Sequence, residues 1–302
     1  MLRRPHPDAL PMPRPALVAV LLLASAASAQ PDSLAGRYAV YVDGQPSDLA
    51  AVVDAAAAAD VVLLGERHDD AVAHALQLRV LRGVHERVGA GRPVALGLEM
   101  FEADVQPVLD DYLAGAAEER DLTEGARPWS NYADYRPLVE YARAHGLPVV
   151  ATNAPARHVR LVAREGGAEA LDRLPAASLA LYPPRPLARP SDALAAAFAE
   201  AMGGMAGHGG PSAGGMLAAQ NLRDLTMAHR IAEAGRGGAL VVHLNGSFHS
   251  AGGLGIPEHL AREAPDARVL VVTFEPAADL SAPPPADGPD AGGVVVLTRA
   301  DG

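Results

Sequence analysis

The sequence contains no cysteine and no lysine, and aromatic residues make up only 4% of its 302 positions. Without cysteine there is no disulfide framework, no thiolate metal site and no thiol nucleophile. The residue on which a bacterial lipoprotein is acylated is missing too. Arginine supplies every permanent positive charge, and together with the abundant alanine this reads as a coding bias, not a functional signal. The formal charge of -11 argues against nucleic acid or an anionic membrane surface as partner. The apolar run from Ala16 to Ala24 falls short of the roughly 20 residues that span a bilayer.

That run is instead the middle of an expected export signal. Arg3, Arg4 and Arg14 precede it and Ala27-Ser28-Ala29 supplies the small residues of a cleavage site. Residues 1–29 are therefore read as a signal peptide, and 30–302 as a single domain. The expected location is the periplasm or the exterior, without a lipid anchor. Removing three arginines and Asp8 makes the remainder more acidic still.

Short apolar runs recur between helix-length segments. Val61–Leu64, Val94–Leu98, Leu147–Ala151, Leu240–Leu244 and Val269–Phe274 read as strands. They are continuous in hydrophobicity, which suits a parallel sheet covered on both faces. Between the first two, Val72, Leu76, Val80, Val84 and Val88 recur every four residues, with Leu78 and Leu81 widening the stripe of a helix over 69–88. Asp69 and Asp70 are placed in its first turn. The pattern predicts an α/β fold, a mostly parallel sheet flanked by helices. Proline and glycine clusters between alanine-rich segments mark 165–235 as a helical insertion over one edge. A Pro/Gly-rich loop fills 276–293, and Val294–Leu297 is read as an edge strand.

Each strand runs out into polar residues. Glu66 and His68 come after the first, Glu99 after the second, Asn153 after the third, His249 after the fourth and Glu275 after the fifth. In open α/β sheets ligands bind beyond the carboxyl ends of the strands, and neighbouring strands lie about 4.8 Å apart, so these groups can converge. Gly65-Glu66-Arg67-His68 and Gly246-Ser247-Phe248-His249 share one spelling: a glycine for a turn off the strand, then a histidine three residues on. Glu99 sits among Leu98, Met100 and Phe101, where an unpaired carboxylate is costly. Helix Met216–Ala234 sets Gln220 and Asp224 among apolar neighbours, either for the site or for an ion pair of Asp224 with Arg223 or Arg157. His74, His85, His145 and His259 have nothing to single them out. Met202, Met205, His208 and Met216 sit amid glycines, read as a flexible loop rather than a copper or haem site.

In order, VVLLGERHDDAVAH, VALGLEMFEADVQPVLDDYL, YRPLVEYARAHGLPVVATNAPARHV, AAQNLRDLTMAHRI and NGSFHSAGGLGIPEHL resemble the ChaN-like haem-binding uptake family. That family stands in a wider group with the Tiki proteases and erythromycin-esterase-like enzymes. The resemblance covers roughly residues 35 to 300. It implies that the two G-x-x-H segments face one pocket, with Glu66, His68, Glu99 and His249 in it and Asn153, Gln220 and Asp224 close by. Two departures stand out. Some members are lipoproteins and this chain has no cysteine; and the second motif, usually closer to GNGH, reads GSFH here.

Two functions compete for that pocket. As a haem-binding uptake protein, the chain would hold iron porphyrin through a histidine or a tyrosine such as Tyr132, Tyr135 or Tyr182. An outer-membrane haem receptor and a second copy of the chain are then possible partners. As a metallohydrolase acting on an ester or peptide, His68, His249, Glu66 and Glu99 would hold zinc, manganese or iron. The resemblance puts haem first, and the four residues taken alone favour the hydrolase.

Overall fold

A computed structural model of the chain describes residues 34–203, 212–286, 288, 290 and 292–299. The expected signal peptide, Met205 and His208 lie outside these. In chain order the elements are β1 (Tyr38–Val42), β2 (Gln45–Ser47), α1 (Leu49–Ala58), β3 (Val61–Glu66), α2 (Ala71–Val88), β4 (Val94–Glu102) and α3 (Gln106–Leu113). Next come α4 (Glu119–Gly125), α5 (Tyr132–His145), β5 (Val149–Asn153), α6 (Ala156–Glu165), α7 (Ala176–Leu179), α8 (Asp192–Met202) and α9 (Ala213–Gly235). The chain closes with β6 (Leu240–Gly246), α10 (Ile256–Glu263), β7 (Val269–Pro276) and β8 (Val294–Thr298).

One eight-stranded sheet runs in the order β2-β1-β8-β7-β3-β6-β4-β5. From β8 to β5 all pairs are parallel, while β1 pairs antiparallel with both β8 and β2. The continuous strands have the cause expected of them. On β3, Val62 and Leu64 belong to the core cluster shared with Val52, Leu76, Val80 and Leu138, whereas Val61 and Leu63 pack with Met227, Ala228, Ile231, Ile256 and Leu260. Alternate residues thus meet α1, α2 and α5 on one face and α9 and α10 on the other. Neither face is left polar.

Four details differ from expectation. β8 is no edge strand, because β1 and β2 close over it. Neither was foreseen from the sequence: β2 is a three-residue strand exposed throughout, held by backbone pairing alone. β4 continues past Leu98 to Glu102 through a shift in register, so Glu99 lies on a strand. And α9 is not an edge insertion, since its second half covers the centre of the sheet; the smaller core of Val159, Val162, Leu171, Tyr182 and Leu222 joins α6 and the segment after it to α9. Among the described residues no helix is long and apolar enough to cross a membrane.

Helix α2 starts two residues later than the expected 69. Asp70 is its N-cap, accepting the amide hydrogens of Val72 and Ala73 at 2.9 Å, and Asp69 precedes the helix. The second Asp70 oxygen accepts the Thr298 hydroxyl, which ties the helix start to the end of β8. Replacing Asp70 by alanine should cost about 1–2 kcal/mol, the worth of a strong cap, read as a lower urea midpoint at constant slope. An unchanged midpoint would mean that water substitutes for the carboxylate.

Candidate functional site

The two G-x-x-H segments interlock at the carboxyl ends of adjacent strands β3 and β6. Gly65 faces Asn245 and Glu66 faces Gly246 in the register. Neither glycine makes the turn expected of it; both are strand residues, and neither has a positive φ. Close approach is what requires them. A Cβ on Gly65 would lie 2.9 Å from Ser250 Oγ and 3.1 Å from Ser247 Cα, and one on Gly246 would lie 2.8 Å from His68 Nε2. Each glycine makes room for the segment trailing the other. His249 Cδ2 would be 3.7 Å from that same Gly246 position, so His68 and His249 border one spot at the rim.

Around Glu66 the donors outnumber what sequence reasoning foresaw. The carboxylate is 1% exposed. It accepts the Tyr135 hydroxyl at 2.6 Å and the Gln77 amide at 2.7 Å, with His68 Nδ1 at 3.1 Å and His74 Nε2 at 3.3 Å. Burial by itself would raise this carboxyl, but the hydrogen bonds from His68, His74 and Tyr135 and the charge of His74 outweigh it and hold it below the ordinary range. His68 is pushed the other way. Burial disfavours its charge, yet the bond to Glu66 and the charges of Glu99 and Glu66 raise its proton affinity. With Nδ1 on Glu66, Nε2 has no hydrogen-bond partner among the described residues; the side chain keeps 42% of its surface. Trp129 stands edge-on to the ring at 4.6 Å, and Asn131 donates to the His68 carbonyl at 2.8 Å.

The second cluster is closed. His249 Nδ1 lies 2.5 Å from Asp224 Oδ1, with the Gln220 amide group 2.9 Å from the same nitrogen, and Nε2 lies 3.2 Å from Glu99 Oε1. The other Glu99 oxygen accepts the Gly246 amide hydrogen at 2.8 Å. Burial penalises the imidazolium, but the charges of Glu99 and Asp224 overcome this and push His249 up to about 10. Glu99 is correspondingly held down at about 2, its own burial outweighed by His249. For Asp224 burial wins and the carboxyl is raised. The ion pairs considered for Asp224 do not form: Arg223 donates to Asn153 and Arg157 to Asp104. Asn153 also donates to the Glu99 carbonyl at 3.0 Å, so it joins β5 to β4 without touching either histidine.

Beneath the rim runs a polar chain that was missed. His243 of β6 passes over Gly97 of β4, where a Cβ would meet the ring at 2.6 Å, to reach Thr152 of β5 at 2.8 Å. Its other nitrogen is 3.1 Å from Asn245, which donates to Ser250 Oγ and to the Gly246 carbonyl, both at 2.9 Å. Burial lowers this imidazole to about 4, so it stays neutral at pH 7. A histidine inside an otherwise apolar strand was the available signal. His74, by contrast, is buried beside Glu66 through the fold alone.

Five of the seven expected site residues therefore form two histidine–carboxylate clusters, His68 with Glu66 and His249 with Glu99 and Asp224; Gln220 braces the second and Asn153 sits behind it. Glu275 is on β7, across β3 from them. Among the described residues no three His, Asp or Glu side chains are arranged to hold a metal ion. The three tyrosines suit iron poorly: Tyr132, Tyr135 and Tyr182 are buried, and burial drives each phenol well above its ordinary range. A cavity of about 730 Å³ in the helical segment is lined by Arg185, Leu187, Leu217 and Asn221 among others, and by none of the seven.

Comparison with known proteins gives this arrangement relatives. Residues 52–260 match the family described as haem-binding uptake, Tiki superfamily, ChaN. A curated relative, the chloroplastic protein RETICULATA-RELATED 5 of Arabidopsis thaliana, is 27% identical over 238 residues, which is 72% of this chain and 31% of that protein. The chain thus spans about a third of its length. Among solved structures, ChaN of Campylobacter jejuni, described with cofacial haem binding, aligns with a TM-score of 0.62 and 16% identity over 87% of this chain and 98% of that one. A mutant erythromycin esterase in its open conformation aligns at 0.42 and 14%, over 75% and 72%. The family match spans well over half the sequence and the fold agrees with ChaN: the chain belongs to the haem-binding uptake family of the Tiki superfamily, the ChaN family.

Proposed function

We propose that the protein binds haem at the carboxyl ends of β3, β6 and β4, and that His68 Nε2 is the nitrogen offered to iron. One observation carries the reading: Nδ1 of that ring is held by a buried carboxylate, while Nε2 has no hydrogen-bond partner among the described residues and belongs to a side chain that keeps 42% of its surface. A carboxylate behind an imidazole fixes its tautomer and strengthens it as a ligand, and a single histidine suffices as an axial ligand for haem. Glu66, anchored by Tyr135 and Gln77, orients the ring. His249, with both nitrogens engaged, supports the turn and stays off the iron. Export past the inner membrane, receipt of haem from an outer-membrane receptor and pairing with a second copy belong to the same proposal. Their support is the sequence of the first 29 residues and the family.

Titration of the purified chain with hemin tests it. A saturable shift of the Soret band is expected, and His68→Ala should weaken binding beyond the roughly 10–100-fold that accompanies loss of a supporting partner. A wild-type chain without Soret response, or a His68→Ala chain that binds as well, overturns the assignment. The same dyad supports a second reading, in which His68, its basicity raised by Glu66, acts as general base in hydrolysis of an ester or peptide. Turnover of an activated ester that vanishes in His68→Ala, without hemin binding, would favour it. A metal-dependent version would draw on His68 and His249, which border one spot at the rim, with Glu66 and Glu99 behind them.

A further inference from the structure

Aromatic side chains are scarce in this chain, with one tryptophan and four phenylalanines, and their placement is uneven. Phe101 and Phe274 are buried in the core. Phe248 is the exposed large apolar side chain among the described residues, at 36%. It stands on the turn Ser247–His249, two residues beyond the Gly246 that His68 touches. Its ring meets Phe198 of α8 at a centroid distance of 6.1 Å and an angle of 61°. The one tryptophan, Trp129, flanks His68. Phe198 and Phe248 therefore lie outside the core clusters, while Trp129 packs against the main core and borders His68. An exposed phenyl forfeits the roughly 25 cal/mol per Å² that burial yields, so at a rim of histidines and carboxylates it calls for a ligand with an aromatic face.

We propose that Phe248, backed by Phe198, is a stacking face for a planar tetrapyrrole, holding the macrocycle independently of the iron that His68 reaches. This rests on the haem reading and adds to it a second, metal-independent determinant of affinity. Rings pair in offset or edge-on geometry over centroid distances of 4.5–7 Å, and the edge-on Phe198 holds the Phe248 ring in place while leaving it open to solvent. Arg67, exposed on the neighbouring turn, supplies positive charge for the carboxylate substituents of such a ring. A hydrated ion or a small acyl substrate would have no use for the phenyl face.

Iron-free protoporphyrin IX separates stacking from ligation, because it has no metal for His68 to bind. The full chain and its Phe248→Ala and Phe248→Trp variants are titrated with protoporphyrin IX by fluorescence and with hemin by absorbance. Phe248→Ala should weaken both about 10-fold, the upper range for one aromatic contact, leave the hemin Soret position unchanged, and leave the thermal midpoint intact because the ring is at the surface. Phe248→Trp should restore both. If Phe248→Ala binds both as the wild type does, the stacking face is wrong while the haem reading stands. If the wild type gives no hemin response, the haem reading fails first; protoporphyrin binding that still depends on Phe248 would then uphold the stacking face, and its absence would overturn both.

Discussion

Replacing Glu66 by alanine should lower the unfolding free energy by about 3–5 kcal/mol, the usual cost of removing one member of a buried charged network. The carboxylate is 1% exposed and meets Tyr135, Gln77 and His68 in hydrogen bonds, with His74 Nε2 3.3 Å away. Alanine leaves at least the Tyr135 hydroxyl and the Gln77 amide buried beside a void, each costing about 1–3 kcal/mol when unpaired, and the lost side-chain volume adds to this. Glu66→Gln separates charge from volume. It fills the space but turns one acceptor into a donor facing donors, so an intermediate loss of about 1–3 kcal/mol is expected. Guanidinium denaturation monitored by circular dichroism distinguishes the three chains. A loss under about 1 kcal/mol in Glu66→Ala would show that water enters and satisfies the donors, and that Glu66 does not hold the rim together.

The same residue shows where sequence reasoning reaches and where it stops. That Glu66 and His68 stand at the end of a buried strand is legible, because the run before them is apolar at every position and only a doubly covered strand needs that. That Gln77, His74 and Tyr135 complete the group is not. The first two lie on α2 and the third on α5, and nothing in a linear pattern says which turn of which helix passes over the end of β3. The paired glycines were noticed for the wrong reason. A turn needs a glycine for its φ, whereas Gly65 and Gly246 are needed because two strands' trailing segments cross within van der Waals distance, a constraint that exists only between segments 180 residues apart. β2 escaped for another cause: a three-residue strand that is wholly exposed is specified by backbone pairing to β1 and leaves no hydrophobic signature, whereas the apolar run of β1, with Val40 and Tyr41 buried, was there to be read. Asp224 lay between. Its position among apolar residues announced a partner, and Arg223 and Arg157 were the candidates considered, but the fold supplied His249.

Stability should peak near pH 6.5 and fall towards both sides, and the alkaline slope reports the two raised histidines, His249 and His68. His249 titrates at 6.5 when unfolded and at about 10 when folded. Between those values the native chain holds a proton that the unfolded chain has lost, so its contribution is complete below pH 6.5 and declines as pH rises through 10, at about 1.4 kcal/mol per pH unit. His68, also raised, adds to the slope. The composition makes the reading clean: with no lysine and no cysteine, hardly any other side chain of the unfolded state titrates between pH 7 and 9. On the acid side the signs reverse. His243 and His259, lowered by burial to about 4, stay neutral in the native chain while the unfolded chain takes up protons below pH 6.5. Glu99 acts at lower pH, its contribution present above 4.5 and lost as pH falls through about 2. Urea midpoints from pH 5 to 9 map the curve. His249→Asn should be less stable at pH 6.5, because Glu99 and Asp224 lose their cation, and should lose most of the alkaline slope. A wild-type curve flat from pH 6.5 to 9 would mean that His249 is neutral in the native protein, which leaves Glu99 without the charge its burial demands.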